Sequence, residues 1–235
     1  MPDSPTVGSP VGRRIVLGML GLAALGIAVG SKVNTALSTL AENDPTGLSG
    51  LVPGSGHFRI YSVAGKVPPT APEAYGLRVD GLVRRPGVLS FADLQDLPQT
   101  QLQKDVQCVT GWRVNDVRWS GVLVRDVLHH FGLDGGARAV QFGSGDGVYT
   151  ESLSLDQALR SDVLIATSMD GSEISDSHGG PVRLYVAPMY FYKSIKWLDS
   201  ITVTDAAVPG FWEQRGYDVD AWVGQSNGRT DAPTA

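Results

Sequence analysis

The chain has 235 residues, 42% hydrophobic and 18% charged, enough for one domain of moderate size with its own core. A formal net charge of −5 and the lack of any Lys/Arg cluster in the body give no electrostatic footprint for nucleic acid, which is excluded as a partner. The 29 Gly and 14 Pro are too many for a helical bundle and too scattered for a collagen-like chain. They imply many turns between short elements and a β-rich fold. The single Cys excludes an internal disulfide and any multi-cysteine zinc or iron–sulfur site. On count alone Cys108 reads as a buried small hydrophobe, as most free cysteines are.

The first stretch, Met1–Gly12, is rich in Pro, Ser and Gly and gives way to Arg13-Arg14 and an uncharged apolar run, Ile15–Val29. This is the layout of an export signal, and the run is shorter than the roughly 20 residues that span a bilayer comfortably. The arginine pair points to the twin-arginine route, which carries proteins already folded. No A-x-A cleavage pattern follows Val29. Residues 1–30 are therefore expected to be either a twin-arginine-like signal peptide or a membrane anchor, on an exported protein of the periplasm or cell envelope. Residues 31–56 read as a linker with a short helix over Thr35–Ala41.

The body is expected over 57–222. Leu77–Val83 alternates as a half-buried strand ending in the turn Arg85-Pro86-Gly87. Ser90 then caps a short helix, with Asp93 placed to return to the N-cap backbone and Leu94 and Leu97 on the apolar side. The spacing predicts a strand over Leu102–Val109, a turn at Trp119-Ser120-Gly121 and a helix over Leu123–Phe131. Ala139–Phe142, Tyr149–Leu153, Val163–Ala166, Arg183–Val186 and Ile201–Val203 read as further short strands. Strands mixed with short helices, without regular βαβ alternation, predict an α+β fold of mixed, β-rich character. Residues 223–235, polar from Gln225 onward, read as a disordered tail.

Four local features stand out in the body, each weak alone. Cys108 closes a strand near Trp112. Gly143–Gly147 is Gly-rich but lacks the Lys-Ser/Thr pair of a P-loop, so an ordinary hairpin is the better reading. His178 opens His178-Gly179-Gly180-Pro181-Val182-Arg183, while the other histidines, at 57, 129 and 130, make no metal spacing with it. Lys193-Ser194-Ile195-Lys196 places two cations and a hydroxyl before an apolar strand. With Arg183 upstream it can hold an anion through charge-assisted hydrogen bonds, although two lysines in four residues usually mark a solvated loop.

Taken in order, Cys108-Val109-Thr110-Gly111-Trp112 with Trp119-Ser120-Gly121-Val122, then His178–Arg183, then Lys193-Ser194-Ile195-Lys196-Trp197-Leu198, resemble the sulfite oxidase-like molybdopterin-binding family. Its members include sulfite oxidases, plant-type nitrate reductases and the catalytic subunit of periplasmic methionine-sulfoxide reductase. The resemblance covers about residues 57–222.

The resemblance implies an oxidoreductase that binds the molybdenum–molybdopterin cofactor, with Cys108 as thiolate ligand of the metal and His178 and Arg183 against the pterin and its phosphate. It also implies that Lys193, Ser194, Ile195 and Lys196 belong to the loop wrapping the cofactor, and that Ser144 reaches it with a hydroxyl. In Phe58-Arg59-Ile60-Tyr61 either Arg59 or Tyr61 faces the metal. Trp212-Glu213-Gln214-Arg215-Gly216-Tyr217 resembles the segment that supplies an active-site tyrosine, making Tyr217 a candidate; its plainer reading is an aromatic closing the core. On this reading the chain is expected to work without the haem domain and the immunoglobulin-like domain of sulfite oxidases. A monomer is expected, acting on a small-molecule substrate and receiving electrons from a membrane haem protein, by S- or N-oxide reduction or by sulfite-type oxidation. The alternatives are a metal-free, non-catalytic binding module displayed at the membrane and a thiol redox protein. The latter is disfavoured because Cys108 has no resolving partner.

Overall fold

The computed structural model describes residues 58–65 and 69–225, all within the second of two units, Pro53–Ala235. The segment expected to be a signal or anchor, the linker and its Thr35–Ala41 helix, and the end of the tail lie outside the described residues. Among those described, no helix is long and apolar enough to cross a membrane.

Among the described residues, ten strands and three short α-helices follow one another as β1 (Gly76–Gly81), β2 (Gly87–Ser90), α1 (Phe91–Asp96), β3 (Gln99–Gln107), β4 (Arg113–Leu123), α2 (Val124–Phe131), β5 (Ala139–Ser144), β6 (Thr150–Ser154), α3 (Leu155–Ala158), β7 (Val163–Met169), β8 (Ser172–Glu173), β9 (Arg183–Val186) and β10 (Leu198–Thr204). One sheet has the order β2-β1-β10-β5-β6, and the other runs β3-β4-β7-β8 with β9 also on β7. The β1–β10 pair is parallel. The other pairs are antiparallel, and the expected α+β, β-rich architecture is what the chain adopts.

Local chemistry accounts for the elements. The Ser90 side chain accepts from the Asp93 amide at 3.1 Å, and the Asp93 carboxylate accepts from the Ser90 amide at 2.8 Å, closing the predicted capping box on α1. Ser154 and Gln157 close a second one on α3, an element the sequence did not suggest. In α2 the buried residues Val124, Val127, Leu128 and Phe131 fall at helical spacing, and Gly132, at φ 75°, ends the helix.

Alternation along the central strands builds two apolar clusters. Val163 and Ile165 of β7 enter the larger one, shared with the first sheet, while Leu164 and Ala166 face a smaller one around Trp119 and Tyr185. In β9, Leu184 and Val186 take the larger cluster and Tyr185 the smaller. The same period of two sends Arg183 to the Trp119 side, where its guanidinium lies 5.4 Å from the Trp119 ring centre. Cys108 packs against both clusters and so stands where they meet.

Two expectations need correction. Trp119-Ser120-Gly121 is not a turn: β4 runs straight through it, pairing Trp119 with Leu102 and Gly121 with Thr100. Gly121 is needed for close approach, because a Cβ there would lie 2.0 Å from the Ile165 carbonyl oxygen. The packed body also continues past 222, since the Val223 amide donates to the Pro188 carbonyl at 3.1 Å and its side chain is buried.

Candidate functional site

A cavity of about 460 Å³ is lined by the ends of strands and the loops between them. Six separate stretches contribute, and nine predicted residues meet there: Arg59, Tyr61, Cys108, Ser144, His178, Arg183, Ser194, Lys196 and Tyr217.

Cys108 reaches the cavity from a tight turn joining β3 to β4. Its amide donates to the Trp112 carbonyl at 2.9 Å, and the Gly111 amide returns to the Cys108 carbonyl at 2.9 Å, with Gly111 at φ 93°. The Thr110 hydroxyl donates to the sulfur at 3.3 Å. Burial pushes the thiol above its ordinary range, opposed by the Thr110 hydrogen bond and by the positive charge of Arg59.

His178, Arg183 and Lys196 form a second, cationic wall. Arg183 is 1% exposed. Its guanidinium donates to carbonyl oxygens, that of Ser194 at 2.9 Å and that of His178, and it lies 4.4 Å from the Phe191 ring centre. The Lys196 ammonium is buried with no hydrogen-bond partner among the described residues and sits 4.1 Å from the Trp197 ring centre. Burial brings Arg183 down to about 9 and Lys196 down to about 7, with the Arg183 charge adding to the second shift. Burial, reinforced by both cations, pushes the His178 imidazole down to about 4, so the ring is neutral at neutral pH. Its Nδ1 lies 2.9 Å from Ser175 Oγ.

Two buried cations without a carboxylate in hydrogen-bond contact are costly unless an anion joins them. The wall therefore fits a phosphate. Further donors line the same cavity: Ser194 Oγ accepts from the Val186 amide at 2.9 Å, leaving its proton to give, and the indole N–H of Trp112 is buried with no partner among the described residues.

Glycines make the wall possible. A Cβ on Gly179, at φ 92°, would lie 2.4 Å from Lys196 Cβ, and one on Gly180 would lie 1.8 Å from the Ile174 carbonyl oxygen. The Gly-Gly step in the histidine motif is a requirement of close packing.

The third wall is aromatic. The Tyr149 hydroxyl donates to the Tyr192 carbonyl at 2.6 Å, and that of Tyr192 to the Asp218 carbonyl at 2.6 Å. The Tyr217 ring packs 5.3 Å from Tyr192 and 5.1 Å from Trp212. Phe58 bridges to the opposite side, with centroids 5.0 Å from His178 and 6.0 Å from Trp112.

Two predicted residues do not line the cavity. The Ile195 side chain is in the apolar core, and its carbonyl accepts from the Leu184 amide at 2.9 Å. Lys193 is 0% exposed. Its ammonium donates to Glu151 Oε1 at 2.6 Å, to the Ser152 carbonyl at 2.8 Å and to Glu213. The expectation that this ammonium faces an anion in the cavity is corrected: two carboxylates already hold it.

Sequence reasoning missed Asp146, Tyr149 and Tyr192 as lining residues. Thr110, Trp112 and Trp197 stood inside the motifs without a role. The Asp146-Gly147 pair signalled a turn, and its Oδ1 accepts from the Val148 and Tyr149 amides at 2.8 and 2.7 Å, which sets Tyr149 at the cavity. Tyr192 carried no local signal.

Comparison with known proteins agrees with this site. The family model described as oxidoreductase molybdopterin binding domain matches residues 64–212. An uncharacterized oxidoreductase of Bacillus subtilis, YuiH, is 37% identical over 153 residues, covering 64% of this chain and 77% of that protein. Sulfite oxidase of Arabidopsis thaliana is 31% identical over 62% of this chain, and the methionine-sulfoxide reductase catalytic subunit MsrP of Ralstonia nicotianae 28% over 60%, but the matches span only 46% and 47% of those proteins. The crystal structure of the sulfane dehydrogenase SoxCD from Paracoccus pantotrophus shares the fold, with a TM-score of 0.58 at 20% identity over 67% of this chain and 46% of its own. With the family model matched over most of the body and an anion-seeking wall facing a lone cysteine, the chain belongs to the molybdopterin-binding oxidoreductases and is an enzyme whose cofactor is molybdenum–molybdopterin.

Proposed function

We propose that the enzyme transfers one oxygen atom in a two-electron reaction, with Cys108 as the thiolate ligand of molybdenum, and that it runs in the reducing direction on a neutral S-oxide or N-oxide. The observation that carries this is the shared cavity: Cys108 opens onto the same space as the unpartnered Lys196 ammonium. A soft metal ligand and an anion anchor thus face one group.

In this reading Arg183, Lys196 and Ser194 hold the phosphate, His178 packs beside the pterin and Ser144 adds a hydroxyl. The cofactor, when bound, supplies the two-electron redox change and an open metal position. The chain's own share is to exclude water, to orient the substrate oxygen and to deliver protons. Reduction of an oxide consumes two electrons and two protons and releases the deoxygenated product and water. Tyr217, Tyr61 and Arg59, which line the cavity, are the donors assigned to that task.

The distribution of charge supports the reducing direction. Arg59 is the cation that bears on Cys108, while Arg183 and Lys196 bear on His178. A doubly charged anion such as sulfite would meet, among the described residues, the counter-charge of Arg59 at the metal end. A neutral oxide needs only a hydrogen-bond donor for its oxygen, and the aromatic wall suits its apolar part.

The test begins with elemental analysis of protein made in a host competent for cofactor synthesis, comparing the native chain with Cys108→Ser. Near-stoichiometric metal in the native chain, and folded but inactive Cys108→Ser, are expected; full activity in the variant would sink the thiolate assignment. Reduced viologen with sulfoxides, set beside sulfite with an artificial acceptor, then decides direction, and turnover of sulfite alone would reverse it. Arg13-Arg14 before Ile15–Val29 supports export, with a membrane haem protein as electron donor. Fractionation after mutating both arginines tests the first part, and wild-type distribution in that variant would refute it.

A further inference from the structure

Each of the three stretches bonded by Lys193 carries a wall of the cavity. Glu151 lies two residues beyond Tyr149, Lys193 lies between Tyr192 and Ser194, and Glu213 lies between Trp212 and Tyr217; Tyr149, Tyr192, Ser194, Trp212 and Tyr217 all line the cavity. The side chains of Glu151, Lys193 and Glu213 are 0%, 0% and 1% exposed.

The segment carrying Glu213 has no regular pairing of its own beyond a single turn, Glu213–Arg215. It lies along β6, the last strand of its sheet, through the Phe211 amide donating to the Thr150 carbonyl at 2.9 Å. Gly210 permits that approach, because a Cβ there would lie 2.6 Å from the Thr150 carbonyl oxygen. The second oxygen of Glu213 accepts from the Gly210 amide. One carboxylate thus closes its own loop and ties it to Lys193.

We propose that Lys193 and Glu213 are positioning residues: the buried clasp Glu151–Lys193–Glu213 holds the Gly210–Tyr217 segment against β6 and thereby sets the Tyr217 ring over the cavity. It rests on the reading that Tyr217 works at the metal end of the site. A merely solvated lysine would leave the segment to its few backbone contacts. A phosphate-binding lysine would face the cavity, which this one does not.

The test is Glu213→Ala in the metal-loaded enzyme, read three ways. Hydrogen exchange of the amides in 210–217 should rise about tenfold or more, while exchange in 108–112 and 183–186 stays as in the wild type. Molybdenum content should hold, and kcat should fall by roughly tenfold or more with a smaller change in KM. In a Tyr217→Phe background the same substitution should cost less than about twofold in kcat, because the residue it positions is already disabled. Unchanged exchange in 210–217, or an equal loss in both backgrounds, would overturn the clasp. Where Glu213→Ala fails to fold, Glu213→Gln, which keeps the volume and one acceptor oxygen, is read by the same criteria. Absence of molybdenum from the native chain would count against the proposed function alone, since the exchange result does not depend on it.

Discussion

The Thr110 hydroxyl points its proton at the Cys108 sulfur across 3.3 Å, a neutral donor that opposes the effect of burial on this thiol. A donor that stabilises thiolate over thiol lowers the pKa, and removing it raises the pKa. In metal-free protein at about pH 8, Thr110→Val should therefore slow alkylation of Cys108 several-fold with the fold intact. A rate equal to that of the wild type would show that burial, Arg59 and the Thr110 and Val109 backbone amides set the reactivity of this sulfur without the hydroxyl.

Lys196 presents the opposite case, a charge that the folded metal-free chain would be more stable without. Its pKa falls from 10.5 unfolded to about 7 folded, so between these values the unfolded state binds the proton that the folded state has given up. Stability then rises with pH across that window. Lys196→Met should remove this slope and stabilise the metal-free protein at neutral pH on the order of 1–3 kcal/mol, after allowance for water reaching the ammonium. The same variant should hold the cofactor about 10- to 100-fold more weakly, through loss of a charge-assisted hydrogen bond to phosphate. Chemical unfolding of both proteins from pH 7 upward, with cofactor content measured alongside, checks both signs.

What the sequence showed and what it hid divide by range of interaction. The Ser90–Asp93 cap and the Arg183–Val186 strand were legible because their causes lie within a few residues, and the motif order brought nine of eleven candidate residues to one cavity. Gly121 was misread because a glycine that admits a neighbouring strand looks the same in sequence as one that turns the chain. Lys193 was misplaced because the group that neutralises it, Glu151, stands 42 residues away. No pattern around Lys193-Ser194-Ile195-Lys196 says which lysine faces the cavity and which faces the core.

Removing the Lys193 ammonium should leave the buried carboxyl groups of Glu151 and Glu213 without a cation beside them. Lys193→Met is expected to cost about 3–5 kcal/mol, and the triple variant Glu151→Gln, Lys193→Met, Glu213→Gln should recover most of it, since a neutral cluster of the same shape has no charge to desolvate. Guanidinium unfolding of the two proteins decides this; equal loss in both would mean that shape, not charge, dominates.

The same cluster should also shape the acid side of the stability profile. Burial, with the Glu213 carboxylate adding to it, raises Glu151 from 4.5 to about 8 against the pull of Lys193. Between those values the folded state keeps a proton that the unfolded state has lost, so this contribution is full below 4.5 and falls as pH rises toward 8. Glu151→Gln should flatten that decline, and a profile that keeps the wild-type slope would assign it to another group.

Gly179 gives the sharpest separation of cofactor binding from stability. Alanine at a positive φ costs roughly 1 kcal/mol wherever it occurs, and Gly147, at φ 72° with open space around its missing Cβ, isolates that cost. At Gly179, φ 92°, the added Cβ would in addition meet Lys196 Cβ, Cγ and Cα at 2.4, 2.6 and 2.7 Å. The last of these is backbone and cannot swing away, so the strand-entering segment at Lys196 must shift and carry its ammonium off the cavity wall. Gly147→Ala should therefore lower the melting temperature modestly with full molybdenum content, whereas Gly179→Ala should lose cofactor well beyond what its melting temperature explains. Equal cofactor content in the two variants would mean that the Lys196 ammonium reaches its anion from more than one backbone position, and that the cationic wall is less sharply built than its packing implies.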